Sequence, residues 1–177
     1  TQPSEADDGT IRFAVLSDVH IGKSNLPTDP ADKFAAALDT VHRVMGTPDA
    51  IVIAGDLTDL GTDAQYQAFN TVLWDHVPGD TAVCTVMGNH EYFRDGVVRF
   101  GGESAAFIKE CQDAYRGVLG ELHTDTVVDG MHIIGVSPLS SAADYTAATD
   151  FLCEHVRAAA EEDPVMPIII FSHEGFG

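Results

Sequence analysis

Short apolar runs that alternate with amphipathic segments constrain this chain more than any other feature. Residues 11–16 (IRFAVL), Ala50–Ala54 (AIVIA) and 81–87 (TAVCTVM) each read as a strand, and Ile168–Phe171 (IIIF) as another of the same kind. A run such as AIVIA has no polar face. A strand made from it must be covered on both sides, as in a parallel sheet between two layers. Helical spacing fills the gaps. Asp29 offers an N-cap with Pro30 at the first helical position, and Phe34, Ala37, Leu38, Val41 and Met45 then recur on one face. Residues 63–74 read as a second helix through Tyr66, Phe69 and Leu73. Residues 104–119 read as a third, with Phe107, Ile108, Cys111, Tyr115 and Val118 inward and Gly120 closing it. Asp129-Gly130 is a strong hairpin signal between runs 122–128 and 131–136. A fourth helix is expected over 145–160, with Phe151, Leu152, His155 and Val156 inward, until Pro164 and Pro167 break it. The expectation is one α/β domain over residues 11–177, mixed because of the hairpin, behind a solvated tail at residues 1–10.

Composition narrows what such a domain can bind. Nine Lys and Arg face 28 Asp and Glu, a formal charge of −19, while a hydrophobic content of 45% is enough to build a core. That balance argues against holding duplex nucleic acid by its phosphates and against docking on anionic lipid. No run approaches the ~18 apolar residues of a membrane-spanning helix. An anionic substrate would still need a positive partner, and with three lysines in the chain a metal ion is the natural one. Cys84, Cys111 and Cys153 are odd in number and far apart, each within an apolar run, and are expected to be buried free thiols. The polar opening from Thr1 resembles the start of a mature exported protein, although a trimmed N-terminus would look the same. The location therefore leans to extracytoplasmic, with a cytoplasmic one left open.

In an open α/β sheet, ligands gather outside the carboxyl ends of the strands. The first run is followed by Asp18 and His20, and the second by Gly55, Asp56, Leu57, Thr58 and Asp59. Gly88, Asn89, His90 and Glu91 follow the third, and Ser172, His173 and Glu174 follow IIIF. With 19 Asp and eight His in the chain, one Asp-x-His arises by chance. With three Asn, a Gly-Asn-His arises about once in a hundred such chains. Any one of these groups could be an ordinary strand-end turn. Four of them, all placed where one sheet edge would collect them, are not an ordinary set. Asp18, Asp56, Asn89 and His173 offer carboxylate, amide and imidazole donors without thiolates, which suits manganese, iron or zinc rather than a structural zinc knuckle. One carboxylate can bridge two ions about 3.5–4 Å apart. Lys23 and Arg94 follow two of the groups and could reach a substrate phosphate, with surface solvation the plainer reading. His42, His76, His123, His132 and His155 show no recurring partner.

Asp18-Val19-His20, Gly55-Asp56, Gly88-Asn89-His90-Glu91 and the lone His173, in this order, resemble the calcineurin-like metallophosphoesterase family. The resemblance implies an αββα sandwich and hydrolysis of phosphate mono- or diesters by a metal-activated hydroxide at a dinuclear site. It implies that Asp18 and His20 bind the first ion, that Asp56 bridges, and that Asn89 and His173 bind the second. His90 would protonate the leaving group, and Asp59 would orient His90. Arg94 is a candidate for substrate contact. The absence of a tyrosine after Gly55-Asp56 sets the chain apart from purple acid phosphatases. The look of residues 55–59 and of Tyr66 and Phe69 is closer to the bacterial branch that includes cyclic-nucleotide phosphodiesterases. The family's closing G-H-x-H motif does not occur before Gly177. The fold is therefore expected to lack its C-terminal part, with an empty or partly occupied metal site and an apolar edge open to association with another chain. Two other readings are a non-catalytic partner-binding scaffold on the same fold and an acidic metal-buffering protein. The second would have no need of Asn89 or His90.

Overall fold

The computed structural model describes residues 10–94, 104–137 and 142–174, with side chains from 145 onward in the last stretch. The expected solvated tail lies outside these residues except for Thr10. Three strands, β1 (Phe13–Leu16), β2 (Ala50–Ala54) and β3 (Ala82–Val86), form a parallel sheet in that order. A second sheet has the order β4 (His123–Val128), β5 (Met131–Val136) and β6 (Ile168–Phe171), antiparallel across the hairpin and parallel between β5 and β6. The helices are α1 (Pro30–Met45), α2 (Asp63–His76), α3 (Ala105–Leu119) and α4 (Ala142–Glu162).

The apolar character of β2 has a direct cause. Ile51 and Ile53 point into a core shared with Phe34, Leu38, Phe69, Leu73 and Tyr115 of α1, α2 and α3. Ala50 and Val52 point the other way, into a core with Cys84, Val86, Met131, Ile133 and Phe171 that joins the two sheets. Gly135 lets the sheets approach, because a Cβ there would fall 2.6 Å from Phe171 and 2.9 Å from Val86. With α4 against β4 and β5, the layers run helix, sheet, sheet, helix. Burying both faces of β2 supplies roughly 1.5–3 kcal/mol per large apolar side chain. Among the described residues no helix is long and apolar enough to cross a membrane.

Several boundaries differ from the sequence expectation, and each difference has a local cause. The strand expected over 11–16 starts at Phe13, because the Arg12 amide donates to the Asp49 carboxylate (2.6 Å) rather than to a neighbouring strand. The strand expected over 81–87 is trimmed at both ends. The Thr81 amide closes a turn onto Pro78, and the Met87 amide donates to the Ser137 hydroxyl at 2.9 Å. Helix α2 runs two residues past Trp74 to His76, whose Nδ1 meets Asp39 of α1 at 2.7 Å. Cys84 and Cys111 are buried, but Cys153 is exposed, since it lies on the outer face of α4 beside Glu154. His132 and His155 do have a partner: Asp125 of β4 accepts from His132 Nδ1 and His155 Nδ1, both at 2.9 Å, and so fastens α4 to the hairpin.

Candidate metal centre

The site begins where β1 and β2 end. Beyond the strands the two chains stay side by side. The amides of Asp18, His20 and Ile21 donate to the carbonyls of Gly55 (3.2 Å), Asp56 (2.9 Å) and Leu57 (3.0 Å), and the Asp59 amide returns to Ile21 (3.0 Å). The backbone of three acid or imidazole residues is left-handed here, with φ of 57° at Asp18, 54° at His20 and 50° at Asp56. Few non-glycine residues adopt this region. It costs on the order of 1–3 kcal/mol each and concentrates where side chains must be aimed. All three turn toward the same edge of the sheet.

The loop after β3 completes the wall. The His90 amide donates to Asp56 Oδ1 (2.9 Å) as a short 3₁₀ turn, His90–Tyr92, begins. Both glycines of the motifs are sterically required. A Cβ on Gly55 would lie 2.5 Å from the His173 Cβ, and one on Gly88 2.3 Å from Asp56 Oδ1. Below them Glu91 is fully buried. Its two carboxylate oxygens accept from the amides of Asp56 (3.1 Å), Thr58 (2.9 Å) and Gly88 (2.6 Å) and from the Thr58 hydroxyl (2.9 Å). Burial pushes the Glu91 carboxyl above its ordinary range while these donors pull it back. Glu91 ties the second and third strand ends together beneath the site. Sequence reasoning gave it no role, although an acid followed directly by Tyr92 and Phe93 in a strand-end loop was a sign of burial.

Asp18, His20, Asp56, Asn89 and His173 are brought together at this edge. His173 Nδ1–H donates to the Ala54 carbonyl (2.9 Å), which turns Nε2 inward, 3.0 Å from Asn89 Oδ1 and 3.4 Å from Asp56 Oδ2. The same Asp56 oxygen lies 3.7 Å from His20 Nε2, and His20 Nε2 lies 3.7 Å from Asp18 Oδ1. Burial raises the Asp56 carboxyl, but hydrogen bonding from His173 and from the His90 amide outweighs it and holds the group below its ordinary value. His20 is held below its ordinary value by burial first and then by His90 and Lys23, against Asp56 and Asp18. The hydrogen bond to Asp56 is the largest influence on His173, whose pKa is raised to about 9 despite burial.

His90 and Asp59 stand on the far side of His20. The rings of His20 and His90 meet edge to face at 4.4 Å. His90 Nδ1–H donates to the Asp59 carbonyl (2.9 Å), and the Asp59 carboxylate is 3.4 Å from the same nitrogen. Arg94 is engaged elsewhere. Its guanidinium pairs with Asp63 (2.9 Å) and Glu110 (3.2 Å) and donates to the Gly61 carbonyl (3.3 Å). It pins the turn after β3 to α2 and α3.

This donor set fits a divalent cation. Ligand atoms of Asp18, Asp56 and His173 lie within 4.8 Å of one another, as do those of His20, Asp59 and His90. Between Asp56 Oδ2, Asn89 Oδ1 and a neutral His173 there are three lone pairs and no hydrogen, so either a proton or a cation must sit among them. Oxygen and imidazole donors without sulfur match manganese, iron or zinc.

The chain belongs to the calcineurin-like phosphoesterase family, whose profile matches residues 11–175. The family is one of metal-dependent phosphoester hydrolases. A probable cyclic nucleotide phosphodiesterase of Rhodopseudomonas palustris is 27% identical over 174 residues, covering 92% of this chain and 57% of that protein. The DNA polymerase II small subunit of Halobacterium salinarum is 28% identical over 149 residues, 75% of this chain and 28% of the subunit. The chain thus spans little more than half of the first relative's length and under a third of the second's.

Proposed function

We propose that this protein hydrolyses phosphate mono- or diesters at a site for two divalent ions. The observation that carries this reading is the place of Asp56 Oδ2, between His20 Nε2 at 3.7 Å and His173 Nε2 at 3.4 Å. Asp18, His20 and Asp56 would hold one ion, and Asp56, Asn89 and His173 the other. When bound, the ions polarise the phosphoryl oxygens and make water a nucleophile at neutral pH. The chain's own residues supply the rest. The Asp59 carbonyl fixes the His90 ring through Nδ1–H, so Nε2 is free to release a proton to the departing oxygen. Glu91 keeps the second and third strand ends in register beneath them.

The likeness to a probable cyclic nucleotide phosphodiesterase makes a cyclic phosphodiester the first diester to try. A second reading is a non-catalytic partner-binding scaffold; the likeness to a protein named as a subunit bears on its partner binding alone. One assay separates them: manganese-dependent hydrolysis of p-nitrophenyl phosphate and of its bis ester. Turnover that disappears in Asp56→Asn supports the enzyme. A protein that binds manganese at these residues and turns over neither ester, nor a cyclic nucleotide, is the scaffold.

A further inference from the structure

His20 carries an observation that the proposed chemistry leaves unused. Its Nδ1 is buried and has no hydrogen-bond partner among the described residues. Under the reading above, His20 ligates through Nε2, which faces Asp18 and Asp56. A neutral imidazole that gives one nitrogen's lone pair to a metal carries its hydrogen on the other. Nδ1 is then a buried donor, and a buried donor without an acceptor penalises the state that creates it. The carboxylate that faces it is Asp59, with Oδ1 at 3.9 Å. The same oxygen lies 3.4 Å from His90 Nδ1. His90 does not depend on that oxygen, because its Nδ1–H already has the Asp59 carbonyl at 2.9 Å. Asp59 thus offers its backbone to one ring and leaves its side chain for the other.

We infer that the Asp59 carboxylate is the positioning partner of the metal ligand His20, accepting from its Nδ1–H, in addition to steadying His90 through the backbone. Metal-bound imidazoles are commonly held this way by an acceptor on the second nitrogen, which fixes the tautomer and raises ligand basicity. Asp59 lies in the segment bridged to the His20 strand end, with Ile21 paired to Thr58, so the carboxylate and the ring are carried by the same two-chain ladder. Asp59 touches neither substrate nor ion in this assignment. Its effect on the first ion passes through His20.

The test is a manganese titration by calorimetry of the wild type and of the Asp59→Asn, Asp59→Ala, His20→Ala and His90→Ala proteins, each checked for unchanged metal-free thermal unfolding. Asp59→Ala is expected to weaken one of the two ions about ten- to a hundredfold. Asp59→Asn keeps a neutral acceptor of the same shape and should fall between it and the wild type. His90→Ala should leave both affinities alone. In the cobalt-loaded wild type, the His20 Nδ1–H should give a paramagnetically shifted, exchangeable proton resonance that broadens with water exchange in Asp59→Ala. Affinities in Asp59→Ala equal to the wild type, in a protein where His20→Ala abolishes one ion, overturn this inference and leave the metal reading standing. A wild type whose metal binding is indifferent to His20→Ala overturns both.

Discussion

Gly88 is packed so tightly against Asp56 that a Cβ on it would fall 2.3 Å from the Asp56 Oδ1 and 2.4 Å from the Asp56 amide nitrogen. The glycine of Gly-Asn-His is therefore a spacing device for the proposed bridging carboxylate. Gly88→Ala must push Asp56 or the loop after β3 aside. The expected cost in stability is about 1–3 kcal/mol by overpacking. The larger loss should be in metal, because the clash falls on Asp56 itself. Manganese stoichiometry after desalting, compared with urea unfolding of the metal-free protein, separates the two effects. A Gly88→Ala protein that keeps two tightly bound ions shows that Asp56 is not where the site is built.

Glu91 offers a different lever on the same loops. Its carboxylate accepts four hydrogen bonds, two at each oxygen. In Glu91→Gln the new amide nitrogen does least harm at the Oε1 position, where the Thr58 hydroxyl can turn to accept from it, but the Thr58 N–H is then left buried without an acceptor and the charge that strengthened all four bonds is gone. A loss of about 2–4 kcal/mol in stability is expected, measured by urea unfolding with chelator present. Metal should weaken only as far as the fold does. A Glu91→Gln protein as stable as the wild type would mean that the strand ends are held by their backbone ladder alone.

How much of this was legible in the sequence depended on how local the cause was. The order of strands and helices was readable because AIVIA and IIIF have no polar face, and because Asp29-Pro30 and Gly120 are caps whose effect lies within a few residues. The convergence of Asp18, Asp56, Asn89 and His173 was readable because strand ends share an edge. Long-range choices were not. Nothing near Arg94 announces that Asp63 and Glu110 will claim its guanidinium. Asp125 lies seven residues from His132 and thirty from His155, so their shared carboxylate depends on hairpin register and on the docking of α4. Left-handed backbone at Asp18, His20 and Asp56 has no sequence mark at all beyond the glycine before Asp56.

The raised pKa of His173 predicts how metal binding responds to pH. Without metal, its value near 9 against an ordinary 6.5 means that the ring is protonated at neutral pH, held by Asp56. A metal ion needs the same Nε2 lone pair and must displace that proton. Between about pH 6.5 and 9, uptake of the second ion should release up to one proton and strengthen tenfold per pH unit, levelling above pH 9. The metal-free fold should change in the opposite sense. A raised histidine pKa stabilises the fold fully below pH 6.5, and that contribution, at most about 3 kcal/mol, is lost as pH rises through 9. Calorimetry in buffers of different ionisation enthalpy reads the proton count directly. Metal uptake without proton release at pH 7 would show that His173 is neutral in the metal-free protein.

His90 should matter in proportion to how badly the leaving group needs a proton. Its ring is held by the Asp59 carbonyl at 2.9 Å, it packs against Phe93 with the ring planes tilted by 51° and the centroids 4.3 Å apart, and it meets His20 edge to face at 4.4 Å. That fixes the ring, and the hydrogen bond and the ion pair that hold it both use Nδ1. General-acid catalysis contributes about a hundred- to ten-thousandfold when the leaving oxygen is basic. A p-nitrophenolate leaves unaided, so little of that factor is at stake with it. His90→Ala should therefore lower kcat for an alkyl phosphoester by at least a hundredfold, and for the p-nitrophenyl ester by less than about tenfold. Metal content should stay at the wild-type level, because Asp18, His20, Asp56, Asn89 and His173 are untouched. Equal losses on both substrates would assign His90 to binding the phosphoryl group rather than to proton transfer. Loss of an ion in the variant would make it a ligand through the His20, Asp59 and His90 cluster.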